Sequence, residues 1–256
     1  MSNALSKVRK VPLDHQGIQS AAYSVQLDDG TDWNEVGVVS NNYLLVPNED
    51  VVDLAETITL QSDFEWKENK TFFNGKRFMK SYITEDCKKE FVKGDDIALG
   101  MVFWNSYDGS KALSFSMFLA RLVCMNGMMS NDIFSTYKFK HDISSDGYED
   151  EIMKATSIVN HRGEENLDLF LDKCRNLTND LDIDKIGQIR HEYLKDLPTG
   201  VFGKIMDKYL LEKDSDSGWE FLNACTNVLW HNDKTTTADF KNNAICVDGM
   251  LNYASN

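Results

Sequence analysis

Residues 96–123, DIALGMVFWNSYDGSKALSFSMFLARLV, decide how the rest of the chain is read. The stretch opens on a nearly unbroken apolar run over 96–106. Further on, Leu113, Phe115, Met117 and Leu119 alternate with Ser114, Ser116, Phe118 and Ala120. A period of two is that of a strand with one buried face. Between the runs, Tyr107-Asp108-Gly109-Ser110 supplies a turn, because Asp-Gly tolerates the positive φ of a tight hairpin. The segment predicts an antiparallel hairpin.

A second hairpin is expected just upstream, where residues 64–70 and 76–83 flank Asn74-Gly75. Residues 34–46, NEVGVVSNNYLLV, are rich in strand formers. Pro47-Asn48 followed by Glu49-Asp50 then reads as the start of a helix over 48–60. A short strand over 137–141 completes an antiparallel sheet carrying a helix. From residue 148 the apolar spacing becomes helical: Ile152, Ala155, Ile158 and Val159, then Leu167, Phe170, Leu171 and Cys174 after an interruption at Gly163. That helix is expected over 148–177, with others over 184–194, 198–211, 217–230 and 237–253. Pro198 suits the first turn of its helix and Ser217 is a cap for the next. The fold class is therefore α+β: an antiparallel sheet of hairpins with a packed helix, then an acidic, mainly helical part. Residues 1–33 are taken as an N-terminal arm, 34–143 as the α+β core and 148–256 as the helical region, with 144–147 as the linker.

The chain has 256 residues, enough for a sizeable core without disulfide or metal staples. Its 41 acidic and 27 basic residues give a formal charge of −14, which as a whole-molecule property disfavours duplex nucleic acid and anionic membranes. The charge is uneven: residues 1–140 carry −4 and residues 141–256 carry −10. No apolar run is long enough to span a bilayer and the N-terminus has no signal-peptide core, so a soluble cytoplasmic protein is expected. Five scattered cysteines without a C-x-x-C pair argue against a disulfide framework or a zinc ribbon.

Catalytic patterns are absent. His15, His141, His161, His191 and His231 make no metal-ligand spacing, and no phosphate-binding glycine loop occurs, so neither metal nor cofactor is expected. Cys124 near Arg121 raises the question of an activated thiol, with His141 the nearest base in sequence, but a cysteine closing an apolar strand is ordinarily a small core residue. The Asp180-Asp182-Asp184 and Asp214-Asp216 clusters lack the glycine and terminal glutamate of a calcium loop. An enzyme is not the expected reading.

Residues 67–93 form a basic island of eight cations against four acids. Within it Lys67, Lys70, Lys76, Arg77 and Lys80 interleave with Trp66, Phe72, Phe73, Phe78 and Tyr82, and single-strand binders combine cationic grooves with aromatic platforms in this way. The competing reading is structural, since alternation along a strand sends aromatics to the core and lysines to water.

Asn105-Ser106-Tyr107-Asp108-Gly109-Ser110, followed by Arg121-Leu-Val-Cys124-Met-Asn126, resembles the phage/plasmid-like family called domain of unknown function 932. Val36-Gly37 to Val46-Pro47-Asn48 and Trp219-Glu-Phe-Leu-Asn223-Ala224-Cys-Thr226 with His231 are similar to further stretches of that family, and the match runs intermittently from about Val36 to His231. Gly127 departs from it, many members having Thr there. The resemblance implies a bacteriophage, plasmid or prophage product. The order of elements also looks like the single-strand-annealing proteins of the Rad-fifty-two type, which form rings or filaments around a basic groove. The expected function is then single-stranded nucleic-acid binding, with strand annealing in recombination, by a homo-oligomer. Lys67, Lys70, Lys76, Arg77, Lys80, Lys111 and Arg121 would meet phosphates, and Trp66, Phe73 or Tyr82 would stack on bases. The alternative is a non-enzymatic acidic phage protein that binds a host protein, in a regulatory or anti-defence interaction. The residues Arg121, Asn126, Trp219, Asn223 and His231 are read mainly as bracing, because buried polar groups must find partners.

Overall fold

The computed structural model describes residues 4–15, 18–139, 145–213, 215–231 and 237–256. Strands β1 (Val8–His15), β2 (Ile18–Asp28) and β3 (Trp33–Ser40) precede helix α1 (Asn48–Gln61). Strands β4 (Lys67–Phe73), β5 (Arg77–Val92), β6 (Asp95–Ser106), β7 (Ser114–Arg121), β8 (Asn126–Met128) and β9 (Thr136–Lys138) follow. The rest is helical: α2 (Ser145–Cys174), a 3₁₀ turn (Arg175–Thr178), α3 (Ile183–Glu192), α4 (Thr199–Glu212), α5 (Gly218–Trp230) and α6 (Thr237–Ala254). This is the α+β class expected from the sequence. Two sheets are present, β1-β2-β3 and a six-stranded one ordered β4-β5-β6-β7-β8 with β9 also paired to β7. No described helix is long and apolar enough to cross a membrane.

The chain falls into two compact units: Met1–Thr84, Met101–Ser116 and Thr136–His161, then Glu85–Gly100, Met117–Ser135 and Arg162–Asn256. In the first, β1 and β2 occupy the segment read as an arm. Their signal is hidden: β1 is an edge strand carrying Arg9, Lys10 and an exposed Pro12 at a register shift, where a missing N–H does no harm. β2 and β3 bury Val25, Leu27, Val36 and Val39 against Tyr107. Gly37 is required here, because a Cβ would lie 2.6 Å from the Tyr107 carbonyl oxygen. Tyr107 is fully buried, its hydroxyl accepts from the Asn48 N–H at 3.0 Å, and burial pushes its pKa up to about 12. The Asn105 side chain donates to Val46 O at 2.8 Å and Asn48 Oδ1 at 3.0 Å. The start of α1 is thus fixed to the end of β6, and the buried stripe Val51, Leu54, Ala55 and Ile58 shows the helical spacing.

Both hairpin turns form where the sequence places them. Asn74 Oδ1 accepts from the Lys76 and Arg77 N–H groups, and Gly75 has φ +87°. Ser106 Oγ both accepts from Lys111 N and donates to Lys111 O, while Gly109 has φ +70°.

Helix α2 begins at Ser145, three residues earlier than expected, and Gly163 does not interrupt it. Gly163 is buried in the same stripe as Ala155, Val159, Leu167 and Phe170, so packing overrides the roughly 1 kcal/mol helix penalty of glycine. Residues 144 and 214 and His141 lie outside the described residues.

In the second unit, Asp95 is 3 % exposed, and its carboxylate takes Arg121 Nε on both oxygens at 2.7 Å and the Trp219 indole N–H at 2.9 Å. Helix α5, capped by Ser217 through the Glu220 N–H, packs on β8, α4 and α6. Asn243 of α6 bonds Gly127 O and the Met129 N–H, each at 2.9 Å. Gly127 lies under the Trp230 ring, where a Cβ would come within 2.4 Å of ring carbons.

Two outcomes follow from this packing. Gly127→Thr destabilises the chain by about 1–3 kcal/mol through overpacking, and combining it with Trp230→Leu costs less than the two changes separately; urea midpoints that simply add would refute the contact. Asp95→Ala strands a half-buried guanidinium and an indole N–H, at about 3–5 kcal/mol. The double change Asp95→Leu with Arg121→Met recovers part of that loss in the same assay.

Candidate functional site

The cations singled out in the sequence do not form one row. Lys80 is 8 % exposed and donates to Glu68 Oε2 at 2.8 Å, which holds the Glu68 carboxyl below its ordinary range. It shares a strand face with Phe78 and Tyr82, both buried, so the alternation that sends those rings inward takes Lys80 with them. Arg121 is committed to Asp95, with Nη1 reaching only the Cys124 Sγ at 3.8 Å. Lys67 is exposed and Lys70 half-buried on β4.

The rings sit inside the fold. Phe73 packs edge-on against Phe78 and Tyr107, and Tyr82 packs edge-on against Phe103. Trp66 is half-buried, leans on Phe64 and donates its indole N–H to Ser62 Oγ at 2.6 Å.

What the first unit does gather is a cationic corner. The two hairpin turns meet through the Tyr107 N–H, which donates to Lys76 O at 2.7 Å. Arg77 donates to Ser110 Oγ at 2.8 Å and stands 3.9 Å from the Asp108 carboxylate. Lys111 lies beyond the second turn with its ammonium 5.3 Å from the Trp104 ring. Strand β9 pairs Ser114 with Lys138, which brings a fourth cation to the same place. Burial holds the Lys111 pKa below its ordinary value, and repulsion from Lys138 and Arg77 lowers it further. Lys76 and Lys138 are exposed. Sequence reading missed Lys138 because its neighbours come from pairing with β7, and only the short strand expected over 137–141 hinted at it.

The remaining motif residues belong to the second unit. Asn126 Oδ1 accepts from Asn227 Nδ2 at 3.3 Å and lies 2.8 Å from His231 Nε2, which is also 2.9 Å from Cys124 O. The imidazole therefore meets the backbone of Cys124. Asp95, the partner that holds Arg121, carried no sequence signal, because a lone aspartate at a strand start looks like any solvated turn residue.

No curated protein and no solved structure matches the chain, so the likeness to single-strand-annealing proteins rests on element order alone. A family model matches residues 35–246, which include both hairpins, the Asn105–Ser110 turn and the Trp219 helix, and the chain belongs to that family, Domain of unknown function (DUF932).

Proposed function

We propose that the protein binds single-stranded nucleic acid through the corner formed by Lys76, Arg77, Lys111 and Lys138. The carrying observation is the like-charge crowding at Lys111: a half-buried ammonium pressed by two further cations gains when a polyanion arrives. Phosphates are the groups that such a corner takes, since each contact also releases condensed counterions. Base stacking on Trp66, Phe73 or Tyr82 is no part of this reading, because those rings are packed against their own neighbours. Recognition is then of the backbone and indifferent to sequence.

A second reading rests on the acidic half. Helix α4 exposes Leu210 and Leu211, at 48 % and 83 %, in a half of the sequence carrying −10. Exposed leucines in an acidic stretch of sequence suit a basic protein partner. A partner recovered from nuclease-treated lysate by the native chain and lost by Leu211→Glu supports it; recovery that nuclease abolishes favours the first reading.

For the nucleic-acid reading, fluorescence anisotropy with labelled single strands is expected to show affinity falling with salt. At about −0.7 per phosphate for single strands, four contacts give a log–log slope near −3. Lys76→Glu with Lys138→Glu, both exposed, lowers affinity at least about tenfold and removes roughly 1.4 from that slope while leaving the melting temperature in place. Absence of binding at about 10 μM protein in low salt would sink the proposal, since non-specific affinities lie near that range.

A further inference from the structure

A cleft of about 210 Å³ in the second unit is lined by the end of β7 and the turn after it, through Arg121, Cys124 and Asn126, and by Tyr209 of α4 and Asn223 and Asn227 of α5. Two of these side chains are buried without a partner. Asn223 is 4 % exposed and neither Oδ1 nor Nδ2 makes a hydrogen bond; Tyr209 is 2 % exposed and its hydroxyl makes none. Folded proteins hold few such orphans, and each calls for an explanation.

The neighbours do not supply one. Asn126 is engaged with Asn227, His231 and the Asn223 carbonyl oxygen. Arg121 is engaged with Asp95, Lys208 with Glu212 at 2.5 Å, and Lys213 with Asp216. The amide network and the cations around the cleft are satisfied among themselves, and the orphans left on its wall are one amide and one phenol. The turn that builds the wall contains Met125 at φ +54°, a left-handed conformation that a non-glycine residue adopts only where the surroundings hold it.

We propose that this cleft binds a small neutral ligand presenting an N–H donor beside an acceptor, the edge shared by carboxamides and nucleobases. An asparagine amide offers a donor and an acceptor side by side and pairs bidentately with such an edge, as it does with adenine. An anion is disfavoured, because each lining cation already faces a carboxylate and Glu220 adds a further one to the wall. Size limits the ligand as well, since drug-sized molecules occupy about 300–1,000 Å³ and this cleft holds a fragment of that. The site belongs to the second unit and is independent of the cationic corner.

Calorimetric titration of the full chain with adenosine, glutamine and glutamate tests it. Binding of adenosine or glutamine with a Kd below about 1 mM is expected; adenosine identifies a base edge and glutamine a carboxamide. Glutamate, which replaces the donor by a second acceptor and adds a charge, does not bind. Failure of both neutral probes at about 10 mM, or glutamate binding as well as glutamine, overturns the proposal. Asn223→Leu, near in shape but apolar, lowers affinity by about tenfold or more, and the melting temperature of the free protein holds or rises because an orphaned amide is gone. Tyr209→Phe behaves in the same direction with a smaller loss of affinity. Unchanged affinity in both variants overturns the proposal, as does a lower melting temperature in both, since that shows the groups already held inside the fold.

Discussion

The burial of β6 on both faces constrains everything around it. Every side chain from Ile97 to Ser106 is buried, so neither edge nor face of this strand meets water. Burial at about 25 cal/mol per Å² makes the apolar run a strong organising force. It also leaves the polar residues at its two ends with no solvent to fall back on. Asp95 at one end recruits Arg121 and the Trp219 indole. Asn105 and Ser106 at the other recruit Val46, Asn48 and Lys111. An unsatisfied buried group costs about 1–3 kcal/mol, so these partners are enforced by the strand they serve.

That constraint explains the turn Asn105–Ser110 residue by residue. Asn105 holds the start of α1, Ser106 closes the hairpin on Lys111, and Tyr107 accepts the Asn48 N–H with its hydroxyl. Asp108 Oδ1 accepts from the Ser110 N–H at 3.0 Å, and Gly109 takes the positive φ. A motif that reads in sequence as a hairpin turn and a family signature is here a set of hydrogen bonds closing one end of a buried strand. Close approach adds a steric counterpart, since Gly100 faces the Phe118 ring so closely that a Cβ would lie 2.4 Å away.

Local chemistry was legible in the sequence and non-local pairing was not. Asn74-Gly75 and Asp108-Gly109 act within four residues, and the helical stripes and the Ser217 cap act within one or two turns, so each can be read from a short window. The strands of the N-terminal segment escaped because an edge strand with Pro12 and alternating charges resembles a solvated arm. Gly163 misled because propensity counts the missing side chain and not the packing on either side of it. Lys80 could have been placed: it shares parity with Phe78 and Tyr82, and a period of two assigns all three to one face. The corner of Arg77, Lys111 and Lys138 could not, since it depends on which strands pair.

The formal charge of −14 describes the molecule poorly at the distances where ligands bind. At physiological salt the Debye length is about 8 Å, so the potential at Lys76 or Lys138 is set by groups within that reach. The described groups there include Arg77, Lys111 and the Asp108 carboxylate that Arg77 faces. At the cleft the balance differs in kind, because Arg121, Lys208 and Lys213 each face a carboxylate and Glu220 adds one more, so nothing there draws in an anion. One acidic chain therefore presents two surfaces with opposite requirements. On the proposed readings the corner would select by charge and lose its grip as salt rises, whereas the cleft would select by hydrogen-bond geometry, which salt leaves almost untouched.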